Sequence, residues 1–194
     1  MPEALKKSLS AQILPYLGLL FLAPLGACEP ATVVEPAPLS TETRDSGCGD
    51  KGSMQAALFG SLETSVSWTG SDMLCENMLR PNNEGVRLRF AGDIEGERLA
   101  LIIAIPGLSR GEAGSELPSN ITTTVEGSGR FFSTPNLDSC WTDISSQTPV
   151  ADTPHTFELS GTLYCVAPLG EVNGDAAVSI PELTFTTLVR WSKS

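Results

Sequence analysis

Apolar and polar residues alternate with a period of two along most of the chain, from Leu58 to Trp191. Leu58, Leu62, Val66 and Trp68 share one face, with Gly60 and Thr64 between them, while Ser61, Glu63, Ser65 and Ser67 point away. Residues 86–90 alternate strictly, and so do Ile121, Thr123 and Val125. Residues 99–105 form instead a continuous apolar run, the pattern of a central strand covered on both faces. Residues 129–133 and 139–144 are shorter candidates, and Phe157, Leu159, Gly161, Leu163 and Cys165 line one face of a long strand. Near the end the apolar phase flips, with Val178 and Ile180 even-numbered but Leu183, Phe185, Thr187, Val189 and Trp191 odd. Pro181 sits at the flip and cannot donate a ladder hydrogen bond, so a β-bulge is expected at Pro181 and Glu182.

Turn residues punctuate this pattern at Pro81-Asn82-Asn83, Ala91-Gly92-Asp93 and Asn173-Gly174-Asp175. Residues 71–80 carry Met73, Leu74, Met78 and Leu79 at helical spacing and stop at Pro81, which fits one short helix or a twisted edge strand. Seven to nine short strands without βαβ alternation predict an all-β fold, a single antiparallel β-sandwich or small barrel. No internal repeat is present.

The first 28 residues follow another logic. Lys6 and Lys7 precede an apolar run over residues 13–25, broken by Pro15, Gly18 and Pro24. A membrane span needs about 20 residues; this run has the length of a secretion signal. It ends in Leu25-Gly26-Ala27-Cys28, which resembles the lipobox of bacterial lipoproteins. That resemblance implies cleavage before Cys28, a diacylglyceryl group on its thiol, and membrane attachment through the lipid. Glu29 is not the aspartate that retains such lipoproteins at the inner membrane, so the resemblance implies the outer membrane, with the domain facing the periplasm. The expected organisation is a signal peptide over 1–27, a lipid-anchored linker over 28–47 and a domain over 48–194. The linker holds three prolines and little to bury. Fully extended at about 3.1 Å per residue, it would lift the domain about 50–60 Å from the bilayer.

Charge and cysteine content narrow the partners. From Cys28 onward the chain has 10 basic and 22 acidic residues, a net charge of −12. This excludes the basic footprint of nucleic-acid binding and disfavours lying on anionic lipid. Four cysteines remain besides Cys28: Cys48, Cys75, Cys140 and Cys165. In an oxidising compartment an even count predicts two disulfides. Three pairings are open; moderate loop lengths favour Cys48–Cys75 with Cys140–Cys165. No C-x-x-C spacing points to zinc, and no cofactor signature occurs.

Candidate chemistry is sparse. The chain has one histidine, His155, beside Asp152 and Thr156, and lacks the G-x-S-x-G elbow of serine hydrolases. An exposed histidine at a strand start is the plainer reading, and no acid pair stands out as a glycosidase dyad. Glu171, Asn173, Asp175 and Glu182 track an oxygen-ligand calcium loop, but the glycine is misplaced and an Asn-Gly hairpin fits better. Trp68, Trp141 and Trp191, with Phe131 and Phe132, could together line a groove for sugar or an apolar ligand. Trp68 and Trp191 fall in phase with the buried face and read as core, whereas the short strand of Trp141, flanked by Asp138 and Asp143, leaves its side open. Asn120-Ile121-Thr122 is a glycosylation sequon of no consequence in a bacterial envelope. Residues 106–119 join two strands through 14 residues with three glycines and two prolines. Leu108, Arg110, Glu112 and Glu116 are the candidate binding residues of that loop, and residues 147–154 form a second, smaller candidate. The expected function is a binding module of the cell envelope meeting a protein or glycan, with a small-ligand carrier and a hydrolase using His155 or a carboxylate pair as alternatives.

Overall fold

The computed structural model describes residues 46–81 and 84–192. The signal segment, Cys28 and the linker as far as residue 45 lie outside the described residues. Within them the protein is all-β, and every strand pairing is antiparallel. Twelve strands follow in order: β1 (Ser53–Gly60), β2 (Thr64–Thr69), β3 (Met73–Leu79), β4 (Val86–Ile94), β5 (Glu97–Ile105) and β6 (Gly114–Val125). After them come β7 (Arg130–Ser133), β8 (Cys140–Pro149), β9 (Thr156–Cys165), β10 (Leu169–Glu171), β11 (Ala177–Ser179) and β12 (Glu182–Arg190). The count exceeds the seven to nine expected, because residues 58–68 and 178–191 each divide into two strands and β10 is too short to show a period of two.

Two strands belong to both sheets. The first half of β1 pairs with β2 and β12, while Phe59 and Gly60 at its end pair with β11. The first half of β6 pairs with β8, and its second half pairs with β5 and β7. One sheet therefore runs β2-β1-β12-β9-β8-β6 (the β12 sheet), the other β3-β4-β5-β6-β7-β10-β11-β1 (the β5 sheet). Their facing sides form one core, in which Phe90 of β4 meets Phe185 of β12 at 5.7 Å between ring centroids.

Several local expectations change in this frame. The apolar face from Leu58 to Trp68 is a hairpin, not one strand: Gly60, at φ 95°, turns β1 toward β2. Of the two readings open for residues 71–80 the edge strand holds: residues 73–79 are β3, with Met73 and Cys75 inward. Gly92 does not mark a turn; it lies inside β4, where an added Cβ would sit 2.5 Å from Cε2 of Trp68. The turn comes later, at Glu95 and Gly96, both left-handed as a two-residue hairpin loop requires. No bulge is needed at Pro181, because the phase flip marks the passage of the chain from β11 in one sheet to β12 in the other. β5 is central, and on its outer side Ala100 and Ala104 are buried whereas Ile102 is half-buried.

The disulfides are Cys48–Cys75 and Cys140–Cys165. With the paired cysteines 27 and 25 positions apart in sequence, chain entropy predicts about 3 kcal/mol of stabilisation from each. Cys140–Cys165 joins directly opposed residues of β8 and β9. Cys48–Cys75 holds the entering chain against β3, where the Cys75 amide donates to Ser46 O at 2.7 Å. Further along β3, the Asn77 side chain donates to Leu188 O at 3.0 Å and accepts from Arg190 N at 3.2 Å, so it takes the place of a strand partner for β12.

Two strand glycines should respond oppositely to a methyl group. Gly92→Ala pushes into the Trp68 indole and is expected to cost about 1–3 kcal/mol. Gly170→Ala in β10, with nothing within 4 Å of the new Cβ, should be neutral or stabilise by up to about 1 kcal/mol. Urea unfolding of both variants, read at equal m-values, checks the pair.

Candidate functional site

The loops singled out in the sequence come together at one end of the molecule, where β5 ends and where β8 turns into β9. The first is shorter than expected. It spans residues 106–113, because Gly114–Val125 is strand β6 and pairs with β8 despite its glycine and proline. Of the four candidate residues, Leu108 is buried in the core, at 3% exposure, and offers nothing to a ligand. Arg110 and Glu112 are exposed on the loop. Glu116 lies in β6 at a register shift, with φ 53° and its amide donating to Asp143 Oδ1 at 2.7 Å. The four thus do not form a common surface.

The residue that organises this end is Gln147. It belongs to β8, not to a loop, and the register shift after Ile144 turns its side chain inward. Its Oε1 accepts from the Gly111 amide at 3.1 Å and from Trp191 Nε1 at 3.1 Å. Its Nε2 donates to Ser109 O at 2.8 Å and Glu112 O at 2.7 Å. Two donors and two lone pairs exhaust what a carboxamide can do. One side chain therefore fastens the β5–β6 loop to β8 and to the last tryptophan. This role is not legible in the apolar pattern, which does not reveal which side a glutamine takes after a bulge.

His155 stands in the connection between β8 and β9. It has φ 63°, with Asp152 at φ 58° in the same turn, and its carbonyl accepts from Trp191 N at 2.9 Å. Its Nδ1 is buried without a hydrogen-bond partner among the described residues. Arg110, Val150, Asp152, His155 and Phe157 line an open cleft of about 410 Å³. The Arg110 guanidinium lies over the Phe157 ring at 5.5 Å, which leaves its N–H edge free. A hydrolytic triad needs a hydroxyl on one side of the imidazole and an orienting carboxylate on the other. No described side chain hydrogen-bonds to His155 in either role.

The segment that tracks a calcium loop is the hairpin of β10 and β11, with Asn173 at φ 64°. The Glu171 carboxylate is taken by Arg130, whose Nε donates at 2.6 Å, and this bond holds its carboxyl below the usual range against partial desolvation. Trp68 and Trp191 are buried as expected from their phase, whereas Trp141 is partly exposed on the outside of the β12 sheet and stacks with Tyr164.

Gln147→Ala and Gln147→Glu should both release the loop, although the second keeps the shape, because a carboxylate cannot donate to Ser109 O and Glu112 O. Loss of this set is expected to cost about 1–3 kcal/mol and to speed amide exchange at Gly111. For Glu171, a folded pKa below the unfolded one means stability that is complete above the unfolded value and lost as pH falls through the folded one. Arg130→Gln should bring the Glu171 carboxyl back toward the ordinary range in an NMR titration and remove that acid-side dependence.

Comparisons with protein families, characterised proteins and solved structures give no match for this chain.

Proposed function

We propose that this chain is an outer-membrane lipoprotein whose domain, a β-sandwich, hangs on a lipid-modified Cys28 and acts by binding in the cell envelope. The signal pattern ending at Leu25-Gly26-Ala27-Cys28 supports the anchor, and two disulfides suit an oxidising compartment. The observation that carries the binding reading is the Gln147 fastening. It fixes the exposed loop with Arg110 beside the turn with His155, so a partner meets a surface already ordered and is spared the cost of ordering it. The hydrolase alternative gains no oriented base from His155, and the carrier alternative finds the intersheet space filled where Phe90 meets Phe185.

Mass spectrometry of protein extracted in mild detergent from its own membranes tests the anchor. The expected result is a lipid-sized increment on a fragment beginning at Cys28 and four oxidised cysteines, with Cys28→Ala moving the protein to the soluble fraction. An unlipidated chain starting elsewhere overturns the localisation. A photoreactive residue at position 110 should then cross-link to an envelope component, while one at position 95, at the other end of β5, should not. Equal labelling at the two positions sinks the binding role of the loop end.

A further inference from the structure

The outer side of the β12 sheet holds a second surface, distinct from the loop end. Strand register places Pro118 of β6, Trp141 of β8, Tyr164 of β9 and Glu182 of β12 in one row. The inward neighbours Cys140, Thr142, Leu163 and Leu183 are buried, so the row faces outward. The Trp141 and Tyr164 rings stack at 5.9 Å between centroids and 25° between planes, and both are partly exposed. Beyond Glu182 the face continues as a groove of about 560 Å³, lined by Gln55, Ala57, Phe59, Ser67, Glu182 and Thr184. Phe59 is 49% exposed there. From Trp141 to Ala57 the surface crosses three strand spacings, about 14 Å.

The chemistry of this face is selective. It offers flat aromatic rings together with carboxylates, hydroxyls and an amide. Neither β8, β9, β1 nor β2 carries a lysine or arginine, and β12 has only Arg190 at its far end. The Tyr164 phenol is pushed up by burial and by the Asp143 and Glu116 carboxylates, so it remains a hydrogen-bond donor at neutral pH. A ligand that suits all of this has an apolar C–H face for the rings, hydroxyls for the carboxylates and amide, no negative charge, and enough length to cross several strands. Anionic lipid headgroups and nucleic acid fail on charge.

We propose that the outer face of the β12 sheet binds a neutral, extended oligosaccharide, with Trp141 and Tyr164 as the stacking platform and Asp143, Glu182 and Gln55 as hydrogen-bonding groups. This surface includes none of Arg110, Gln147, His155 and Phe157, on which the loop-end reading rests, so the two readings fail separately.

Saturation-transfer NMR on the full chain, in a detergent without a sugar headgroup, tests the proposal with cellopentaose and chitopentaose. Pentagalacturonate serves as the anionic counterpart. At least one neutral pentamer should show transfer at millimolar concentration, with the anionic pentamer weaker. Trp141→Ala and Tyr164→Ala should each weaken binding about tenfold, as loss of a stacking ring does. Trp141→Phe should recover part of it, and Glu182→Gln, which leaves the platform intact, should weaken it too. Phe131→Ala, an exposed aromatic on the other sheet, should leave binding unchanged. Absence of transfer from both neutral pentamers overturns the proposal. So does binding that survives loss of both rings, or a preference for pentagalacturonate.

Discussion

A sheet must partner the backbone N–H and C=O groups along its edges, and the whole architecture follows from how this chain meets that constraint. Because β1 and β6 each pair in both sheets, one side of the molecule has continuous ladders where two separate sheets would leave edges. The cost is concentrated on β2 and β3, consecutive strands that each pair on one side only. At the β3 edge Cys48–Cys75 fixes the entering chain and Ser46 accepts from Cys75, while the Asn77 side chain of β3 serves the backbone of β12 as a surrogate strand. The disulfide is therefore part of the sheet's termination as well as a limit on unfolded-state entropy.

Closing two sheets on each other this way brings large rings together in the core, and glycine makes the room. Gly161 of β9 lies opposite Phe185, where a Cβ would meet the ring at 3.0 Å, and Gly92 leaves the space that Trp68 fills. Each glycine weakens its own strand slightly, yet each admits a ring whose burial stabilises by about 1.5–3 kcal/mol. Phe90 can then reach Phe185 across the core.

The parts of the fold that depend on local pattern were legible in the sequence. Alternation found β4, the second half of β6 and β9, and loop length favoured the observed cysteine pairing. What was hidden depends on partners far away in the chain. Gly92 looked like a turn because glycine in a strand is visible only beside the Trp68 it accommodates. Residues 71–80 fit two periods, and only pairing with β4 decides for strand. Gln147 was read as loop because its significance lies in carbonyls up to 38 residues away. Trp141 was left open for the same reason: the side on which a short strand's residues fall is fixed by its register with β9.

The period of two that builds this core also separates it from function. Along β8 and β9, Cys140, Thr142 and Leu163 point inward and bear the packing, while Trp141, Asp143 and Tyr164 alternate with them and face outward. The outward set can meet a partner without disturbing the inward one, and a site on paired strands is held more rigidly than one on a loop. The loop end approaches similar rigidity by another route, through the four hydrogen bonds of Gln147. A flat, preorganised face gains little affinity per contact. On the proposed anchor, however, many copies would share one bilayer surface within a tether's length of the same polymer. The effective concentration set by that tether would then convert weak contacts into stable attachment. Rigid faces and the proposed anchor are complementary in this sense: the strands fix what is recognised, and the anchor would set how often it is met.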